Sequence, residues 1–462
     1  MKAVPDPRRA TLIAVSLASA LLLLCRSASA VPTMAPLPEF VATEGAEYVA
    51  VLHLDDVVED REAPDDTLIW HVPAGTALDV TLTHDRHLVV RPPDTDWCGV
   101  EAIPIAVCNP AGACATQTLS FRVEPVPDAP IIDWIPSRVI GAAAAFAPLD
   151  LRQFEFDPDG DADLTWAVSG GTWLIPSVVD GVLTVERRDP AWRGTEELEL
   201  CLTDSTGRSV SRGLSCTVTA GTPVTLTFIP NRPILIERGE TRVLIDGLLN
   251  DVVSLSVRDK ERLARAEAPF DEIDLALATH EHYDHVTPRV VVEHLTHSSS
   301  TVFASLIETV DLLEDVPGYD GVADRVVAIP FTEGAGADLD VDGIHVTAFS
   351  VRHTGAGDNL AFLIDVGGVR ILALGDAAFD FTPAELIAAY GWPGRDVDVA
   401  LVPSRWVELF GGALVTVGIA PRFVVTGPLR ECPPLLEVQE GARVPVVVCS
   451  PGETWIVPPR KP

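Results

Sequence analysis

Three histidines and an aspartate fall within six residues at the end of one apolar run, LALATHEHYDH from Leu275 to His285, in a chain of 462 residues with only 11 histidines. The preceding EIDLALAT sets Ile273, Leu275 and Leu277 on one face and reads as a strand ending at Thr279. His280, His282, Asp284 and His285 then lie on the loop beyond it, where layered α/β folds gather their sites. Without a cation such a cluster repels itself on protonation and buries poorly. In a sharply turning loop His280 and His282 can converge on one ion, with Asp284 and His285 turned to a second. Imidazole and carboxylate together suit zinc, manganese or iron.

The surroundings agree with a layered domain. From Val224, VTLTFIPNRPILIERGETRVLIDGLL reads as three successive strands. Apolar strands then alternate with helical segments, DVVSLSVRDKERLARAEAP, TPRVVVEHLTH and TPAELIAAYG. Before that break the texture is all β. Residues 31–128 and 129–220 each show short runs of β-formers between Gly, Pro, Asp and Asn, with no helical period, and look like two diverged copies of one sandwich. Residues 1–30 read as a leader: Lys2, Arg8 and Arg9, an apolar stretch, then Ala28-Ser29-Ala30. The expected sites are therefore exported ones: periplasmic, secreted or cell-surface. The expected domains are 1–30, 31–128, 129–220 and 221–462. No later run is long enough to span a membrane.

The net charge of −34 disfavours a nucleic-acid partner, which needs clustered Lys and Arg. Seven cysteines remain after Cys25. Cys108 and Cys114 flank NPAGA and can face each other across a hairpin; Cys201 with Cys216 and Cys432 with Cys449 are weaker pairings. There is no Gly-x-Ser-x-Gly elbow, P-loop or dinucleotide fingerprint.

Two resemblances sharpen this. DVVEDREAPDDTLIW and CNPAGACATQTLSFRVEPVPDAP look like tandem immunoglobulin-like or cadherin-like modules of bacterial surface proteins, with FDPDGDADLTW and LTDSTGRSVS as the matching parts of the second copy. That resemblance implies an extracellular or cell-surface ligand for the modules. It also implies calcium at acidic clusters, such as Asp157, Asp159 and Asp161 around Gly160; the alternative there is a plain Asp/Gly turn.

THEHYDH resembles the His-x-His-x-Asp-His signature of the metallo-β-lactamase superfamily. RVLIDG, VRHTG and GVRILALGDAAF follow in the matching order, and the lactonase-like branch is the most similar. The resemblance covers about residues 224–455 and implies an αββα sandwich. It implies His280, His282 and His353 on a first metal, Asp284 and His285 on a second, Asp376 bridging, and Asp246 supporting the site from behind. The activity implied is metal-dependent hydrolysis of a small-molecule ester, lactone, amide or phosphoester by a metal-bound hydroxide, with Asp284 moving the proton. One departure matters. The superfamily's late histidine falls at or near Pro428, and no histidine follows His353; Glu431 is the neighbouring alternative. The second site is then the weaker one. The rival reading is a degenerate member that binds metal with little catalysis and serves adhesion or ligand binding.

Overall fold

The computed structural model describes residues 30–45, 50–72, 77–93, 97–160, 162–229, 233–250, 255–353, 357–378, 390–403, 419–426, 446–448 and 452–460. Its contacts divide the chain into two compact units, Met1–Pro127 and Asp128–Pro462.

The first unit is a β-sandwich. One sheet orders Glu39–Thr43, Cys114–Glu124, Gly99–Cys108 and Ile69–His71; the other orders Ala50–His53, His87–Arg91 and Asp79–Leu82. The second unit opens with the same plan. There one sheet orders Arg138–Gly141, Ser209–Thr219, Gly194–Thr203 and Thr165–Gly170; the other orders Leu149–Asp150, Val182–Arg187 and Leu174–Val179. The likeness reaches single residues. Gly99 and Gly194 both open their strands at positive φ, +144° and +148°, where a glycine is favoured, and each lies beside a Trp ring: a Cβ would be 3.5 Å from Trp97 and 3.0 Å from Trp192. Trp70 and Trp166 are buried in the two cores. Both modules are immunoglobulin-like or cadherin-like sandwiches.

Cys108 and Cys114 are cross-strand partners joined by a disulfide. At the same place in the second copy, Thr203 and Ser209 are partners through hydroxyls 2.9 Å apart. The Cys201–Cys216 pairing does not form. On the shared hairpin Cys201 lies opposite Ser211 and Cys216 opposite Glu196, so the register keeps the thiols apart, and both are free. Cys432 and Cys449 lie outside the described residues, as do the leader up to Ser29 and Asp161. Asp157 is buried, and its Oδ1 accepts the Asp159 N–H at 2.9 Å, which is an Asx turn.

The rest of the second unit is the αββα sandwich. Its first sheet contains β1 (Thr225–Phe228), β2 (Ile234–Arg238), β3 (Thr241–Ile245), β4 (Leu275–Leu277), β5 (Val302–Leu306) and β6 (Val326–Ile329). The strands are consecutive in space, antiparallel from β1 to β3 and parallel from β3 to β6. Three helices cover its outer face: α1 (Val257–Ala264), α2 (Pro288–His297) and α3 (Ile307–Glu314). The second sheet contains β7 (Gly336–Val341), β8 (Ile344–Arg352), β9 (Asp358–Val366), β10 (Val369–Ala373), β11 (Val399–Leu401), β12 (Phe423–Thr426) and β13 (Val446–Val448). A last strand, β14 (Thr454–Ile456), returns to pair with β1.

Leu226, Ile236, Val243, Leu275 and Leu277 of the first sheet meet Val346, Leu360, Phe362, Ile371 and Val399 of the second in one buried cluster. Ala276 and Phe303 point the other way, into the helix layer. Burial on both faces explains why β4 reads as a continuous apolar run. On the far face of the second sheet, Tyr390, Trp392 and Ile419 cover Phe349, Leu363 and Leu372. Most of the predicted helix TPAELIAAYG lies outside the described residues.

Candidate metal centre

β4 delivers the cluster. After Leu277 the chain passes through Ala278 and Thr279, and the Thr279 carbonyl accepts the Leu360 N–H of β9 at 2.8 Å. The two sheets are thereby tied together where the site begins. A tight turn follows, with the His285 and Val286 N–H groups donating to the His282 carbonyl at 2.9 and 3.0 Å. That turn folds His280, His282 and His285 back on one another. His353 follows β8 and is held by its N–H to the Gly357 carbonyl at 3.1 Å. Asp376 follows β10.

The side chains converge in two overlapping groups. Ligand atoms of His280, His282 and His353 lie within 4.8 Å of one another, and so do those of His280, His285 and Asp376. Ring centroids are 4.5 Å apart for His280–His282, His280–His353 and His282–His353. Asp376 Oδ2 is 3.6 Å from His285 Nε2 and 3.8 Å from His353 Nε2. Asp284 is half-buried on the same turn but belongs to neither group. His285 groups with Asp376 and His280 rather than with Asp284. Pro428 and Glu431 lie outside the described residues.

Asp246 orients the rings. Its Oδ1 accepts the Thr279 N–H at 2.8 Å; its Oδ2 accepts the Thr279 hydroxyl at 3.0 Å and faces His285 Nδ1 at 2.9 Å. Thr279 Oγ1 spends its proton on Asp246, so it is an acceptor toward His280 Nδ1 at 3.0 Å. Both rings are thus set with Nδ1 as the donor and Nε2 turned inward, the nitrogen that a metal-bound imidazole offers once it carries no proton. His280 is 1% exposed, and its buried Nε2 has no hydrogen-bond partner. A buried nitrogen left so, with two more imidazoles and a carboxylate nearby, fits a divalent cation.

The charges respond accordingly. Burial, and then His285, His353 and His282, push the His280 imidazole down to about 2. Burial opposes protonation of His285 as well, but Asp246 and Asp376 outweigh it and raise that ring to about 9.

Three supporting residues carry no recognisable sequence signal. Thr279 has just been described. Asn359, fully buried on β9, accepts the Asp376 N–H on Oδ1 at 3.1 Å and donates to the Leu374 carbonyl at 3.0 Å. Gly375 turns at φ +54°, and a Cβ there would lie 2.6 Å from Asn359 Oδ1 and 2.7 Å from Thr279 Cβ. The only hint in the sequence is polar residues inside otherwise apolar strands.

Residues 241–410 match the family model described as a beta-lactamase superfamily domain. Over those residues the chain is similar to the metallo-β-lactamase superfamily. A metal-dependent hydrolase of Thermococcus onnurineus is 25% identical over 230 residues, 46% of this chain and 92% of its own. A metallo-β-lactamase fold protein of Bacillus subtilis aligns with 51% of this chain and 99% of its own, at 12% identity and a TM-score of 0.37. A structure of the human mucin-like protocadherin EC1-2 aligns with 41% of this chain and 98% of its own, at 15% identity and a TM-score of 0.28. No helix among the described residues is long and apolar enough to cross a membrane.

Proposed function

We propose that residues 221–462 are a metal-dependent hydrolase whose first ion is held by His280, His282 and His353. The observation that carries this reading is the buried, unpartnered Nε2 of His280 among converging imidazoles, with its Nδ1 already fixed by Thr279. Three neutral imidazoles make zinc the preferred ion, with manganese or iron as alternatives. When bound, such an ion lowers the pKa of water towards ~7 and polarises the oxygen of the bond to be cleaved. The chain's own contribution is positioning. Asp246 and Thr279 hold the rings, and Asn359 and Gly375 set the Asp376 carboxylate beside His285 and His353. His285 and Asp376 supply the second, weaker subsite. Asp284 is assigned to move the proton between nucleophile and leaving group.

The charge at the mouth narrows the substrate. Glu281 sits between two ligands, and Asp358, the cross-strand partner of Arg352, opens β9 beside His353. Burial, and then Glu308 and Glu281, lift the Asp358 carboxyl above the usual carboxylate range against the pull of Arg352. Arg352 itself is paired with Glu333 at 2.7 Å. An electronegative mouth repels phosphoester anions, so we assign a neutral ester, lactone or amide. The leader-like residues 1–30 and the two sandwiches support an exported enzyme whose modules hold a cell-surface or extracellular ligand.

The zinc-loaded chain assayed against a lactone, a β-lactam and a phosphodiester tests this. Turnover of a neutral substrate that His282→Ala abolishes is the expected result. Zinc binding without turnover of any of them favours the binding-only reading, for which the lack of a histidine after His353 is the supporting observation. Faster cleavage of the phosphodiester overturns the substrate assignment.

A further inference from the structure

The outer face of α1 does not meet solvent alone. Trp134, on the segment leading into the second sandwich, is 7% exposed and belongs to the same buried cluster as Leu235, Leu244, Phe270 and Leu295 of the metal-binding domain. Its indole stacks on Phe270 with ring centroids 6.0 Å apart. Next to it, the Asp133 side chain is 1% exposed and lies 3.0 Å from Arg262 and 3.3 Å from Arg258, both on α1. The Asp133 carbonyl accepts from Arg212 of the sandwich at 2.9 Å. Arg258 also donates to the Glu155 carbonyl at 3.0 Å and lies over Phe156 at 4.2 Å. Arg262 lies over Phe154 at 5.3 Å. In the other direction, Ala268 of the metal-binding domain packs against the sandwich core.

Tandem modules joined by a linker move independently unless their interface is large and apolar. Here each side completes the other's core. The Asp133 carboxylate also makes separation costly. Burial opposes its charge, and the compensation comes first from Arg262 and Arg258 on the opposite side, with Arg212 of the sandwich adding less. On the inner side of α1, His294 Nδ1 of α2 lies 2.6 Å from the Leu263 carbonyl. α2 in turn begins at Pro288, directly after the metal loop.

We infer that the second sandwich is a fixed outer layer of the metal-binding domain, so that residues 128–462 fold and open as one unit. α1 is gripped between Asp133 and Trp134 outside and α2 inside. The sandwich thereby steadies the helix that follows the metal loop.

Hydrogen exchange of the full chain, followed by mass spectrometry across a urea series, tests this without metal or substrate. Its failure therefore leaves the hydrolase reading untouched. Segments 194–219 and 288–306 should lose protection at one common midpoint. Trp134→Ala should lower that midpoint for both by about 1 M or more. Asp133→Asn, which keeps the shape of the side chain, should move both together by less, and it serves if Trp134→Ala does not fold. Loss of protection in 194–219 at lower urea, with 288–306 still closed, overturns the inference. So does a variant that shifts one segment and leaves the other.

Discussion

Asp246 has φ +49°, a left-handed conformation that non-glycine residues other than Asn and Asp seldom adopt. Its N–H is tied to the Leu277 carbonyl at 2.8 Å, which holds the strand end in that shape. The carboxylate then reaches Thr279 and His285 together. Asp246→Asn should keep the backbone and lose the anion, weakening zinc binding by roughly 10–100-fold in a calorimetric titration while the fold persists. An unchanged affinity would mean that the rings are set by packing alone. Gly375→Ala should also weaken zinc binding, because the added methyl meets Thr279 and Asn359 at fixed positions. Asp246 is legible in the sequence only through the family resemblance that RVLIDG carries. Thr279 and Asn359 are not, since one hydroxyl or amide in a strand follows no period. Their role arises only when two sheets distant in sequence come together.

The strands were legible from their apolar runs, β4 included; Leu275 and Leu277 share the inter-sheet face as expected, but Ile273 turns to the helix side. The grouping of the metal donors was not. His285 turns to Asp376 rather than to Asp284 because the turn at His282 and the bond to Asp246 fix its ring, and neither follows from spacing. A second polar anchor shows what secures the strand ends of the other sheet. Asp398, fully buried just before β11, accepts from Arg422 at 2.6 Å, from Arg460 at 2.8 Å and from the Arg370 N–H at 3.0 Å. Burial alone would raise its carboxyl, but Arg460, the Arg370 N–H and Arg422 hold it below the ordinary 3.8. A carboxyl lowered on folding stabilises the protein above its unfolded value, and that contribution disappears as pH falls through the folded one. Asp398→Asn should therefore cost about 3 kcal/mol at neutral pH. The difference in melting temperature from the unmodified chain should narrow only below about pH 4. A gap that closes already at pH 6 would point to another group.

For the whole molecule, the repeated sandwich plan was readable because both stretches keep short runs of β-formers between turn residues with no helical period; the shared Trp-x-Gly strand opening emerged only from the structure. How the second copy packs on α1 was not, because Asp133 and Trp134 look like ordinary linker residues. The charge of −34 sets a further expectation. A cleft that repels anions gains on them as salt rises, within a Debye length of about 8 Å at physiological ionic strength. Added sodium chloride should thus raise any phosphodiester cleavage relative to lactone cleavage, and Asp358→Asn should shift the ratio the same way; a ratio indifferent to both would remove the electrostatic argument. The central claim is the ion itself. Metal analysis of the full chain, purified without chelator and dialysed against trace zinc, tests it most directly. The account predicts about one tightly held divalent ion per chain and a second taken up only in excess metal, with the tight ion lost in His282→Ala. A chain that retains no metal, or one that keeps its tight ion after His282→Ala, contradicts it.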